Sequence, residues 1–248
     1  MVSFVDRCIV FVTVLVLLVT LIYVSNVRQQ MSKHHLSGER RLRNAKEIRD
    51  DASDYKIVVF DAFLTPEECE AIIAHATDVG LSAAETLDVG SSALSSYNPS
   101  KRSSKTCWVQ DGVGEVYADI SRIASLLSGM PVANNEPLQV AAYDKDGKFD
   151  EHYDACDSSA MVCDRFNRGS GQRVATLLIY LNDAFAGGTT TFTTMTPQVS
   201  IRPSVGKAIY FEDSIDGTII PQSKHRGDTV LEGNKWICTK WVHSGVWK

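Results

Sequence analysis

Residues 138–154 read LQVAAYDKDGKFDEHYD. Leu138–Tyr143 is a short β-type run, DKDGK is a polar turn containing a glycine, and the stretch closes on His152-Tyr153-Asp154. Runs of the same kind recur downstream at Val174–Leu181, Thr189–Thr194, Val199–Ile201, Lys207–Phe211, Thr229–Leu231 and Lys235–Val242, separated by Gly, Asn, Asp or Pro. Many short strands with turn signals between them predict an antiparallel sandwich or barrel. Upstream of Pro137 the pattern is different. Lys56–Phe63 (KIVVFDAF) is β-rich and leads into Leu64-Thr65-Pro66-Glu67-Glu68. There Thr65 suits an N-cap, Pro66 the first helical position and the glutamates the positive helix end. Cys69, Ile72, Ile73 and Ala76 keep helical spacing, and Gly80 ends it. Val113–Leu127 is a second amphipathic helix stopped by Ser128-Gly129-Met130-Pro131. The class is therefore α+β, a β core with N-terminal buttressing helices. Residues 82–104, rich in Ser, Ala and Gly, read as a mobile loop.

The 248 residues carry a net charge of -5, with 44% hydrophobic and 22% charged residues. That is globular composition, and with a pI of about 5.7 it gives no footprint for nucleic acid. Residues 1–56 hold nine Lys+Arg against six Asp+Glu, which leaves 16 against 24 for the rest. The N-terminal Ile9–Val24, IVFVTVLVLLVTLIYV, is uncharged. It would make about 24 Å of helix, long for a signal-peptide core. The chain thus divides into a signal anchor or transmembrane segment (1–27), a charged stalk (28–55) and a folded body (56–248). Arg28, Lys33, Arg40, Arg41, Arg43, Lys46 and Arg49 in the stalk would hold that flank in the cytoplasm by the positive-inside rule. Of six cysteines none forms a CxxC pair, which argues against structural zinc, and Cys156–Cys163 bound a polar loop that a disulfide can staple.

His152 and Asp154, two apart in an extended chain, face the same way and can converge on one metal. A third ligand has to come from elsewhere, and His225 in SKHRGDTV, next to another β run, is the best candidate. Two histidines and one carboxylate on one face leave open positions, the arrangement of non-haem Fe(II) oxygenases. Lys235 lies ten residues beyond His225. If the two occupy neighbouring antiparallel strands, its ammonium points into the same barrel, and a buried lysine needs an anion such as a dicarboxylate. No GxSxG, P-loop or GxGxxG pattern is present, and DKDGKFDE does not fit an EF-hand frame.

From Lys56 to Trp247 the chain resembles the iron- and 2-oxoglutarate-dependent prolyl 4-hydroxylases. The resemblance rests on LTPEECEAII, QVAAYDKDGKFDEHYDAC, QRVATLLIYLND, GGTTTF, HRGDTVLEGNKW and KWVHSG, and is closest in form to short plant, algal and viral members. It implies a double-stranded β-helix (jelly-roll) core, Fe(II) on His152, Asp154 and His225, and Lys235 on the distal carboxylate of 2-oxoglutarate. It further implies that the Tyr143 and Thr190 hydroxyls help hold that carboxylate. Arg173, Trp241 and His243 would line a peptide groove, and Arg102 would belong to a mobile substrate loop. Lysine at position 235, where lysyl hydroxylases and oxygen-sensing prolyl hydroxylases usually place arginine, favours the collagen- and cell-wall-type enzymes.

The implied activity is hydroxylation of proline at C4 in a proline-rich peptide or protein, consuming O2 and 2-oxoglutarate, releasing succinate and CO2, and supported by L-ascorbate. Members with an anchor face the secretory lumen, so the resemblance sets a type II protein of the endoplasmic reticulum or Golgi against the positive-inside bias. The departures bear on substrate. Phe149 stands where the family often has tyrosine, Gly187-Gly188-Thr189-Thr190 replaces GGET, and Thr229 replaces a proline after His225. They leave open a related oxygenase acting on another residue or a small molecule. A non-catalytic jelly-roll module is the third class, opposed by the intact His152, Asp154, His225 and Lys235.

Overall fold

The structure, a computed structural model, describes residue 25 and residues 38–87, 95–96, 98–157 and 160–248. The strands of its two main sheets are β1 (Ala45–Arg49), β2 (Lys56–Phe60), β3 (Ser82–Ala83), β4 (Lys105–Val109), β5 (Leu138–Tyr143), β6 (Phe149–His152), β7 (Arg173–Tyr180), β8 (Thr190–Phe192), β9 (Val199–Ile201), β10 (Ala208–Glu212), β11 (His225–Gly227) and β12 (Lys235–His243). Eight form a major sheet in the order β1-β2-β10-β7-β12-β5-β4-β3, and four form a minor sheet, β9-β8-β11-β6. The two pack as a jelly roll. Within these sheets every pairing is antiparallel, with β11 bringing His225 opposite His152 and β12 bringing Lys235 opposite Tyr143.

Alternation along the central strands separates packing from chemistry. On β7, Ala175, Leu177 and Ile179 join the core beneath α1 (Pro66–Val79) and α2 (Glu115–Ser128). Leu178 and Tyr180 turn to the opposite cluster, where they meet Phe192 and Ile201 of the minor sheet. β12 does the same, with Cys238 and Val242 toward the helices and Ile237 toward the minor sheet. Burial on both faces explains why β7 reads as a nearly continuous apolar run. Helix α1 begins as its sequence predicts. Thr65 caps the Glu68 amide, Glu68 returns a carboxylate to the Thr65 amide, Pro66 takes the first turn, and Gly80 (φ 85°) ends the helix.

Three expectations change. The stretch read as a charged stalk is structured in its second half. Ala45–Arg49 pairs residue for residue with Lys56–Phe60 as the sheet's edge, and the compact unit begins at Arg41. Arg41, 1% exposed, donates to the Phe63 carbonyl (2.9 Å) and to both Glu68 oxygens (2.7 and 3.0 Å). Second, the segment read as a loop over 82–104 starts with β3, while residues 88–94 and 97 lie outside the described residues. Third, the loop after Asp154 contains a short helix, α3 (Ala160–Phe166); the Cys156–Cys163 disulfide that its sequence allows does close it, with Cα atoms 5.5 Å apart. Cys69, Cys107 and Cys238 are free and buried. The apolar run Ile9–Val24, expected to be an anchor, lies outside the described residues, and among those no helix is long and apolar enough to cross a membrane.

Candidate metal and co-substrate site

Strand β6 ends at His152, so Asp154 sits just past it and not on the strand. Its carboxylate still turns to the same point as the imidazole. One ligand atom each of His152, Asp154 and His225 lies within 4.8 Å of the others. Nε2 of His152 and of His225 stand 3.6 and 4.0 Å from the Asp154 oxygens. Both Nδ1 atoms face backbone carbonyls, Asp150 at 2.7 Å and Ser223 at 2.9 Å. A carbonyl only accepts, so each Nδ1 carries the proton and each Nε2 lone pair points inward, as a metal ligand requires. Burial, then the neighbouring His152, lowers the His225 pKa to about 4, leaving a neutral imidazole at neutral pH. Burial works against charge on Asp154, but the adjacent His152 and His225 rings and the Arg173 guanidinium outweigh it and hold the carboxyl below its usual range. Two imidazoles that turn Nε2 inward and an ionised carboxylate fit a divalent metal.

Behind Asp154 lies a polar chain. The Thr176 hydroxyl is 2.8 Å from Asp154 Oδ2 and 2.7 Å from Asp213 Oδ2. Burial and the negative Asp154 push the Asp213 carboxyl well up. Asp213 therefore keeps its proton, donates to Thr176, and Thr176 donates to Asp154. Arg173 adds a bond to the Asp154 carbonyl at 3.2 Å.

Across the cavity stands Lys235, 3% exposed. It was expected on a strand neighbouring His225. It lies instead on the major sheet, while His225 is on the minor one, so the two meet across the sandwich. Gly188 (φ 64°) gives it passage, since a Cβ there would come within 3.0 Å of the Lys235 Cδ. The ammonium is 5.6 Å from the Tyr143 ring and 5.5 Å from the Tyr180 ring. Among the described residues it forms no ion pair or hydrogen bond, and burial lowers its pKa to about 8 with only Asp228 opposing. A buried cation with no anion marks the place of an anionic ligand. Thr190 accepts from the Tyr180 hydroxyl at 2.7 Å, which orients its own hydroxyl. The cavity between ligands and lysine is lined by Tyr143, Thr190, Leu178, Ile237, Thr239, Trp241, Phe149 and Arg102 as well as the triad.

The residues carried over as groove-lining divide. Trp241 reaches the cavity and its indole N–H has no partner. Arg173 and His243 do not line it. Arg173 ion-pairs with Glu136 (2.6 Å) and stacks on Trp241 (3.9 Å), and His243 has its ring nitrogens 2.7 Å from Glu136 and 2.9 Å from the Gly171 carbonyl. They form a buried brace behind the site. Sequence reasoning missed Glu136, Thr176, Tyr180 and Asp213. Only the two-residue spacing of Thr176, Leu178 and Tyr180 held a signal, since one face of a strand carries all three.

Residues 138–243 match the 2OG-Fe(II) oxygenase superfamily. Prolyl 4-hydroxylase 5 of Arabidopsis thaliana is 32% identical over 207 residues, covering 76% of this chain and 68% of that protein. Prolyl 4-hydroxylase 1 of the same plant is 33% identical over 201 residues, covering 75% and 68%. Among solved structures, the viral collagen prolyl hydroxylase of Paramecium Bursaria Chlorella virus-1, in complex with 2OG, superposes with a TM-score of 0.58 at 26% identity, covering 75% of this chain and 94% of that one. With the ligand geometry already in place, these likenesses settle the lineage: the chain belongs to the prolyl 4-hydroxylase family and is a 2-oxoglutarate-dependent dioxygenase.

Proposed function

We propose that this protein is a peptidyl-prolyl 4-hydroxylase that acts on proline-rich peptide segments. The observation that carries the reading is the unpaired, buried Lys235 ammonium facing the His152–Asp154–His225 cluster across one cavity. His152, Asp154 and His225 would hold Fe(II). Fe(II), when bound, supplies the oxidising chemistry, coupling conversion of 2-oxoglutarate and O2 to succinate and CO2 with hydroxylation of the proline C4. The chain's own residues do the rest. Lys235 neutralises the distal carboxylate of 2-oxoglutarate, and Tyr143 and Thr190 would offer hydroxyls to it. Leu178 and Ile237 line the cavity as apolar wall and keep water from the reacting groups. The Thr176–Asp213 pair holds the Asp154 carboxylate in one orientation. A polyproline II segment loses little entropy on docking, which suits a groove ending at this cavity.

L-Ascorbate enters the proposal as the reductant that restores the metal after turnovers without peptide. Ile9–Val24 enters as the anchor of a type II protein with its body in the secretory lumen, supported by the uncharged run and by the Cys156–Cys163 disulfide, which suits an oxidising compartment. Protease resistance of the body in sealed microsomes is the expected result; digestion without detergent overturns that placement. For the activity, the full chain with Fe(II), 2-oxoglutarate and ascorbate under air should add the mass of one oxygen to proline in Pro-Pro-Gly or poly-proline peptides, and His152→Ala should not. Succinate without peptide oxidation would move the substrate elsewhere, the reading that Phe149 in place of tyrosine favours.

A further inference from the structure

The two histidines of the triad are held differently. His225 is 4% exposed and packs against the rings of both Phe192 (5.6 Å) and Phe211 (5.0 Å). His152 stands at the rim with its side chain 18% exposed; it stacks on Phe149, with centroids 3.6 Å apart and planes within 16°, and meets the His225 ring at 4.4 Å in a tilted contact. The Arg102 guanidinium lies over the same Phe149 ring at 4.7 Å. An imidazole at stacking distance leaves no room for a second group on its side, so Arg102 takes the other face. Arg102 is itself fixed. Nε donates to the Ser104 hydroxyl at 2.9 Å, Nη2 donates to Gln139 Oε1 at 2.8 Å, and the residue is 7% exposed. Its backbone runs beside β6. Arg102 bridges Phe149, the Asp150 amide donates to the Lys101 carbonyl at 2.7 Å, and the Ser103 amide donates to the Lys148 carbonyl at 3.0 Å.

We propose that Arg102 is a positioning residue of the metal centre: through the Arg102–Phe149–His152 stack it fixes the plane of the outermost histidine ligand. A planar guanidinium covers an aromatic face and a second face of the same ring covers the imidazole, so the cation immobilises the ligand without touching it. Nε and Nη2 are engaged by Ser104 and Gln139, which fixes the guanidinium plane over the ring. The stack uses the ring and not a hydroxyl, so phenylalanine or tyrosine at position 149 would serve it alike. The inference rests on His152 being a metal ligand, as proposed above.

The test uses Mn(II), which binds without turnover, titrated into the full-length protein and read as free Mn(II) by electron paramagnetic resonance. Supporting changes in the iron shell typically alter metal affinity about tenfold or more. Arg102→Leu and Phe149→Leu should each weaken Mn(II) binding about tenfold, the double variant should be no weaker than either single one, and Phe149→Tyr, which keeps the ring, should bind like the parent. Melting curves of the metal-free variants report folding. If Arg102→Leu does not fold, Arg102→Gln removes the cation while keeping an amide for Ser104 or Gln139 and reads the same quantity. Unchanged Mn(II) affinity in Arg102→Leu with a raised peptide KM would overturn the proposal and make Arg102 a substrate contact. Additive losses would overturn it too, since the two side chains would then act separately. His152→Ala separates the layers: if it leaves Mn(II) binding intact, the metal assignment fails, whereas loss there with no effect of Arg102→Leu defeats this inference alone.

Discussion

Lys235 is charged at the expense of its own burial. With a pKa lowered to about 8, its proton is lost in the free protein as the pH rises through that value. The distal carboxylate of 2-oxoglutarate needs the ammonium, so affinity should be full below about pH 8 and fall roughly tenfold for each further unit. Calorimetric titration of the Mn(II) form across that range checks it; a flat profile would show that the lysine does not meet the co-substrate. At this scale the sequence was legible where chemistry needs a fixed residue type. His152, Asp154, His225 and Lys235 are each singled out by spacing, and the structure brings them to one cavity. Asp213, Thr176 and Glu136 were not legible. Their partners are the side chains of distant strands, and an isolated Asp or Thr in a β run carries no mark of which neighbour it will meet. Arg173 and His243, which the resemblance puts in a peptide groove, both pair with the buried Glu136 and stay out of the cavity wall.

Among the elements, α1 was written plainly in Thr65-Pro66-Glu67-Glu68, where cap, proline and acidic turn agree. β1 was not. KEIR alternates charge along an exposed edge, the composition that discourages edge strands from pairing further, and it reads as linker until its hydrogen bonds to β2 are seen. Arg41 secures this end of the body by joining the chain before β1 to Glu68 in the first turn of α1. Replacing it with alanine removes the Arg41 hydrogen bonds from the Phe63 carbonyl and Glu68 and the cation beside Asp119 (3.5 Å), while the Thr65 amide still serves Glu68. Glu68 is partly exposed and can regain water, so the cost should fall below that of a fully buried pair, at about 2–3 kcal/mol. Urea unfolding should show a lower midpoint with an unchanged slope; an unchanged midpoint would mean that the contact adds nothing. A stable body therefore starts at Arg41 and not at Lys56.

For the molecule as a whole, two facing sheets account for the site. The major sheet carries Lys235 and Tyr143 with helices packed on its far side, and the minor sheet carries His152 and His225. The class was legible from the order of helical and alternating β patterns, and the jelly roll from the family motifs. The placement of His225 opposite Lys235 was not, because sequence distance suggests adjacent strands whereas the intervening Val230–Glu232 pairs with Ala186–Gly187 and carries the chain across. The central claim is that one cavity joins 2-oxoglutarate, O2 and a prolyl peptide in a single turnover. The measurement that tests it most directly is turnover of a proline-rich peptide under isotopically labelled dioxygen, with mass spectrometry of both products. One labelled oxygen is expected in 4-hydroxyproline and one in succinate, in equal amounts. Labelled succinate with unlabelled, unmodified peptide would contradict it.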